Sequence, residues 1–402
     1  MKKFRKAISV LFVAAIVIAA SFSLIPQENY VYTPGYDYSS ITAMENDVDA
    51  ALEAAEAAAT QPVRTASAAL GYVIVTDYVS NDGKADVADA IQAVIDANPN
   101  RTIYFPDGIY LIGKPICTPA DPTKSVDLQL SNYAVIRAAE NWASDEAMIR
   151  LGGKDDKNDT HTVGSNYSLT GGIIDGSGKA DGISIDSGRE TAIRNVSIKH
   201  TPVGIKIKHG ANSGSSDADL SNINIIGTGG TDSVGIYIEG YDNTVTNVRI
   251  GNVFTGVHLK SSSNSLRNIH PLYYSDYTDY ENSCGFLDEG GNNIYDFCYS
   301  DQFCIGFRTM GNVSSIFDNC FCFWYSASGG REIAFKADGK FNSVVTNFRT
   351  GFRDDTNNSV LVAGKIGGCG VFDNLLSGNV SDLAHIPYKE DNIIFMIRNI
   401  FI

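Results

Sequence analysis

A short apolar unit led by glycine recurs along the second half of the chain, and it restricts the fold more than any other feature. Its instances are GISID (182–186), GIKIK (204–208), GIYIE (235–239), GVHLK (256–260) and GFLDE (285–289), with weaker copies GFRTM (306–310) and AFKAD (334–338). A second unit alternates with it, a short strand pattern with Asn or Asp near its centre. It runs IRNVSI (193–198), LSNINI (220–225), VTNVRI (245–250) and LRNIHP (266–271), then IYDFCY, IFDNCF, VTNFRT and VFDNLL. The central polar residues are Asn195, Asn222, Asn247, Asn268, Asp296, Asp318 or Asn319, Asn347 and Asn374, unevenly spaced. Repeats of this size stack as a solenoid, and uneven spacing suits coils whose corners carry loops of different length.

The side-chain alternation of a strand then sorts the repeat into columns. In GIYIE, Ile236 and Ile238 point inward while Tyr237 and Glu239 point outward. Coils stack about 4.8 Å apart, so each position lines up with its counterpart in the next coil. The Asn series fits a ladder of amides that bond up and down the stack at a bend. The fold class expected is all-β, a right-handed parallel β-helix over about 165–380.

The region before the repeats supplies a cap. Residues 72–79 (YVIVTDYV) read as a strand, followed by an Asn81-Asp82-Gly83 turn. Asp86 can cap a short helix, AIQAVIDA, with Ile91, Val94 and Ile95 on one face, stopped by Asn98-Pro99-Asn100. TIYFPDGIYLIG (102–113) reads as two strands around Pro106-Asp107-Gly108. The helix is expected to close the N-terminal end of the solenoid.

Three segments follow from this: residues 1–25 a signal peptide or membrane anchor, 26–70 an Ala/Glu-rich linker, 71–402 the β-helix domain. Lys2, Lys3, Arg5 and Lys6 precede an apolar run from Ala7 to about Ala20, with Ser21, Ser23 and Pro26 beyond it. That is the pattern of a secretory leader, with an uncleaved anchor as the alternative. No Cys follows the run, which argues against a lipoprotein. The expectation is a secreted or cell-surface protein that meets a membrane only through this segment.

The net charge of −15 repels nucleic acid and anionic membranes, so nucleic acid is not an expected partner. It also withholds long-range attraction from polyanionic glycans, which would need a local basic patch or a bridging cation. The seven cysteines (Cys117, Cys284, Cys298, Cys304, Cys320, Cys322 and Cys369) are odd in number and lack zinc-site spacing. They read as buried thiols, with one or two disulfides as the alternative in an oxidising exterior. No metal ligand set is assigned. Asp155, Asp156 and Asp159 in GGKDDKNDT leave Ca²⁺ open, against a solvated loop.

Chemistry would lie on the outward face of the Gly-led strand. Coil by coil it carries Ser184 and Asp186, Lys206 and Lys208, Tyr237 and Glu239, His258 and Lys260, Leu287 and Glu289, Arg308 and Met310, Lys336 and Asp338. As a glycosidase pair, Glu239 and Glu289 would stand two coils apart, about 9–10 Å, near the upper end of the roughly 6.5–9.5 Å typical of inverting enzymes. As an eliminase, the face offers a base and cations in Lys206, Lys208, His258, Lys260 and Arg308. As a structural feature, Asp186, Lys208, Glu239, Lys260 and Glu289 form a charge ladder of alternating sign. Lys206, Tyr237, Tyr274, Tyr277 and Trp324 are the candidate sugar-binding residues, since flat aromatics give a sugar ring an apolar face.

The cap and one coil carry a resemblance. DGKADVADAIQAVIDA and TIYFPDGIYLI resemble the N-terminal signature of the pectate-lyase-like superfamily, and GGIIDGSG (171–178) resembles a Gly-x-Ile-Asp-Gly-x-Gly coil found in many of its members. These include polygalacturonases, rhamnogalacturonases, inulin fructotransferases and phage tailspike depolymerases. The resemblance covers residues 72–380 and implies a capped right-handed β-helix acting on polysaccharide, often as a homotrimer. The polygalacturonase motifs Asn-Thr-Asp, Asp-Asp, Gly-His-Gly and Arg-Ile-Lys are not present as a set, and Asp354-Asp355 lacks their companions. The function expected is a polysaccharide lyase or glycoside hydrolase. The alternative is a non-catalytic glycan-binding or structural cell-surface β-helix.

Overall fold

In the computed structural model, residues 72–154, 168–209, 215–274, 279–325, 332–352, 360–367, 371–378 and 396–401 are described. The leader, the linker, Asp155 to Asp159 and Asp354-Asp355 lie outside them. Every strand pairing is parallel, and each strand pairs with its counterpart one coil away. The Gly-led strands form one ten-stranded sheet from Ile116–Pro119 to Val360–Gly367. The other strands form a 21-stranded network of two stacks. These stacks merge where Asp219–Gly227, Thr244–Gly251 and Ser265–Leu272 run through the corner without a break. Each coil thus passes through a first sheet, a second sheet and the Gly-led sheet, which is the right-handed parallel β-helix read from the repeat.

The solenoid begins earlier than the repeat suggested. Val73 is already in register with Ile103, and Arg101–Phe105 with Val126–Leu130. The early coils lack the Gly-led spelling, so pattern alone missed them. Two local expectations are corrected here. Only Val73–Ile74 of residues 72–79 is strand, followed by a 3-10 turn at Val75–Asp77, and the expected turn opens the strand Asp82–Asp86. The helix is as read: α1 (Ala88–Ala97) buries Ile91, Val94 and Ile95, and an Asp86 carboxylate oxygen accepts from the Ala88 amide at 2.9 Å. It occupies the place of a Gly-led strand in the first coil and packs on Ile116–Pro119, closing the core end.

The core is one continuous column of Ile, Val, Leu and, toward the C-terminal coils, Phe. Phe286, Phe307 and Phe335 stack along it, 4.5 and 6.5 Å apart by ring centroid. The leading glycine is required by space. A Cβ on Gly235 would stand 2.6 Å from the Gly256 carbonyl oxygen and 2.5 Å from Ile250, and the same clash recurs at Gly204 and Gly256.

Two ladders hold the corners. Between the first and second sheets, Asn222 donates to Asn195, Asn247 to Asn222 and Asn268 to Asn247, at 3.3, 3.2 and 2.9 Å. All four have φ near +55°, the left-handed region that Asn tolerates best after Gly. At the next coil the left-handed position passes to Phe297, φ 52°, and returns to Asn at Asn319 and Asn347; the bonds continue through carboxylates, with Asn319 donating to Asp296 at 3.4 Å and Asn347 to Asp318 at 2.8 Å. The side chain of Asn374 lies outside the described residues. A second ladder, unforeseen from sequence, is buried after the Gly-led strand. There Asn243 donates to Asn264 and Asn264 to Asn293, at 2.8 and 3.1 Å, continued by Ser315 and Ser343. Asp288 belongs to it, accepting from Asn293 and Ser315.

Candidate functional site

The register of the Gly-led sheet sets the outward face. One column runs Arg150, Ser184, Lys206, Tyr237, His258, Leu287, Arg308, Lys336. Two residues further along each strand stands the second column, Asp186, Lys208, Glu239, Lys260, Glu289, Met310, Asp338. The burial alternation agrees from Lys206 onward, but Ser184 and Asp186 are buried rather than open.

The expected charge ladder does not pair evenly. At its N-terminal end Asp186 is clamped by Arg150 at 2.7 Å and Lys208 at 3.3 Å, and Lys208 also reaches Glu146. At the C-terminal end Arg308 donates to Asp338 at 2.9 Å, with Lys336 3.8 Å away. Lys208 and Arg308 are therefore committed to neighbouring carboxylates.

Between these two knots lies a connected group. Glu289 receives Lys260 Nζ at 2.7 Å and faces His258 Nε2 at 3.1 Å. The Tyr237 hydroxyl donates to Glu239 at 2.9 Å. The Tyr237 ring meets His258 edge-on at 5.0 Å, and Lys206 Nζ lies 5.3 Å over its other side. Among the described residues, Glu239 has no cation within ion-pair reach and Lys206 no carboxylate.

Lys260 and His258 set the electrostatics of Glu289. Partial burial raises the Glu289 carboxyl, but Lys260 and His258 outweigh it and hold the group below the usual glutamate value. Burial lowers His258 by more than Glu289 raises it, so the imidazole is neutral near pH 7. Burial and then the bond to Glu239 push the Tyr237 hydroxyl well up, keeping it a donor.

The candidate sugar-binding aromatics disperse. Trp324 is a core residue, 1% exposed, with its indole N–H on the Phe303 carbonyl at 2.6 Å, so it offers no face to a ligand. Its inward alternation within Phe321–Trp324 was the overlooked signal. Tyr274 packs against Gly251, at the corner that precedes the Gly-led strand, whereas Glu239 and Glu289 follow that strand. Tyr277 lies outside the described residues. Tyr237 is the aromatic that joins the group. Sequence reasoning missed Arg150 and Glu146, which sit in IRLGG and its approach, a coil without the Gly-led spelling.

The six described cysteines are free thiols, and burial pushes Cys284 and Cys304 up to about 12. Among the described residues no three His, Cys, Asp or Glu side chains cluster as a metal site.

A parallel β-helix with an ionisable group on one outer sheet defines a class of protein. The sequence pattern of the rhamnogalacturonase A/epimerase, pectate lyase-like family matches residues 72–275, just over half of the 402, and the chain belongs to that family. No curated protein matches it in sequence. Among solved structures it is similar to a tailspike protein of E. coli bacteriophage HK620, with TM-score 0.62, 12% identity, and 85% of this chain and 67% of that one covered. It is also similar to the catalytic domain of a GH87 alpha-1,3-glucanase bound to nigerose, at 0.55, 14%, 84% and 69%. For ORF18 of Geobacillus virus E2 the values are 0.51, 14%, 77% and 66%. The chain thus spans about two thirds of the length of these proteins, and at such identities the likeness shows the fold.

Proposed function

We propose that this chain is an exported glycoside hydrolase that cleaves a polysaccharide lying along the Gly-led face. The observation that carries this is the unequal treatment of two carboxylates two coils apart. Glu289 is held ionised by Lys260 and His258 and suits a base that activates water. Glu239, which accepts from the Tyr237 hydroxyl, is assigned the general-acid role toward the leaving oxygen. Tyr237 and Lys206 flank the bond to be cut. The glycan link and the extracellular setting draw support from the family, from the leader pattern and from neighbours whose names include a tailspike and a glucanase.

The test is the purified full chain on a panel of neutral and acidic polysaccharides, read for both reducing ends and the ultraviolet absorbance of unsaturated products. New reducing ends without absorbance are expected, and their loss in Glu239→Gln. Unsaturated product would instead indicate elimination with neutral His258 as base. A second reading, non-catalytic glycan binding, is favoured by the paired knots around Asp186 and Asp338. Retention on a polysaccharide gel with no product on any substrate would select it.

A further inference from the structure

Among the described residues before Ile294, every large hydrophobic side chain that is exposed is a tyrosine of the first three coils: Tyr72 at 43%, Tyr78 at 62% and Tyr133 at 44%. Val73–Ile74, Arg101–Phe105 and Val126–Leu130 are the opening strands of the first sheet, stacked in parallel register. Tyr104 faces outward there, since Ile103 and Phe105 on either side of it are fully buried. Tyr72 leads into the first strand and brings its ring to 6.1 Å from that of Tyr104. The other two tyrosines stand at the corner that follows. Tyr78 ends the 3-10 turn of the first coil, and the Tyr133 carbonyl of the third coil accepts from the Gly108 amide of the second at 3.1 Å. Beyond Tyr104 the same outward column continues with Gln129 and Thr170 in successive coils.

We propose that this surface is a platform that binds neutral polysaccharide, separate from the Gly-led face. A tyrosine ring offers a flat apolar face to the C–H side of a sugar ring and a hydroxyl to its polar edge. Gln129 and Thr170 add an amide and a hydroxyl beside it, at steps of about 4.8 Å along the solenoid. Charge selects the kind of glycan. Residues 72–81, 101–108 and 126–134 make up the three strands and their corner, and they hold Asp77, Asp107 and Asp127 against one cation, Arg101. A polyanion is repelled from such a surface, whereas a neutral chain is not.

The make-up of the patch favours a sugar over a protein partner. In the C-terminal coils the exposed apolar groups of the same sheet include Ile294, Ile316 and Val344, whose branched side chains offer no flat face. In the opening coils the exposed groups are rings that carry a hydroxyl, and Ile74, outward and in register with Tyr104, is only 6% exposed. An exposed patch of this kind marks a ligand-binding surface. It lies on the first sheet, while the ionisable group of Glu239 and Glu289 lies on the Gly-led sheet. Binding on one therefore leaves the other open.

The test is co-sedimentation of the full chain with insoluble cellulose, mannan and starch, and with polygalacturonate coupled to agarose, read as the bound fraction at increasing polymer. Wild type is expected to bind at least one neutral polymer, and to bind it more tightly than polygalacturonate. On that polymer the double variant Tyr72→Ala, Tyr78→Ala is expected to bind about tenfold more weakly, the worth of one or two stacking contacts. The matching Phe pair keeps the rings and is expected to bind close to wild type, with circular dichroism confirming the fold of each. Absence of binding to all three neutral polymers overturns the proposal, as does tighter binding to polygalacturonate or undiminished binding by the Ala pair. Binding lost in Tyr237→Ala but kept in the Ala pair belongs to the Gly-led face and also overturns it. Binding that needs Tyr72 and Tyr78, with no product from any substrate, supports the platform and counts against cleavage alone. Should the Ala pair fail to fold, Tyr78→Ala replaces it, with weaker binding expected and unchanged binding overturning.

Discussion

Lys260 gives its ammonium to Glu289, at 2.7 Å, and leaves Glu239, one coil back, to the hydroxyl of Tyr237 at 2.9 Å. Removing the ammonium should therefore act on one carboxylate. With Lys260→Ala the Glu289 carboxyl rises toward its ordinary value, and the acid limb of the pH–rate profile should move upward. Glu239→Gln and Glu289→Gln should each lower turnover by about a hundredfold or more, the usual worth of a positioned proton-transfer group. Initial rates of reducing-end release measure all three.

Stability should fall on acidification. Glu289 has a lowered folded value, so its contribution is complete above the unfolded value of about 4.3 and is lost as pH falls through the folded one. His258 is also lowered, so protons bind the unfolded chain first, and stability declines as pH drops below about 6.5. Urea midpoints at successive pH values from neutral downward should decrease, and His258→Gln should flatten the upper part of that decline.

The ladder at the first corner should be costly to interrupt. Asn247→Ala removes a bond to Asn222 and one from Asn268, and it places a Cβ-bearing residue without a local bond at φ 55°. A loss of about 2 kcal/mol is expected from urea unfolding.

Phe297→Asn should do the opposite. The substitution puts the favoured residue into a left-handed corner, gives up the Arg267 guanidinium 5.8 Å over the ring, and should on balance stabilise the chain by about 1 kcal/mol, read as a higher melting temperature.

Trp324→Ala should cost about 3–5 kcal/mol, as expected for a large buried aromatic, with glycan retention of the folded fraction unchanged. Weakened retention at full folding would restore it as a ligand residue.

What could be read from the chain alone was the alternation. Whether a strand residue faces in or out is a local property of the pleat, so GIYIE and its relatives placed Ile236 and Ile238 in the core and Tyr237 and Glu239 on the surface without any knowledge of neighbours. The Asn spelling marked most corners for the same reason, because the left-handed conformation is a preference of single residues. Tertiary structure alone decided which outward groups meet. A charged side chain in a stack can turn to the coil before or after it, and the lengths of the intervening loops set what it finds there. Lys208 thus reaches Glu146, 62 residues away, and Lys260 chooses Glu289 over Glu239. The same nonlocality hid the buried ladder of Asn243, Asn264 and Asn293, and it allowed Phe297 a corner where the local rule asks for Asn.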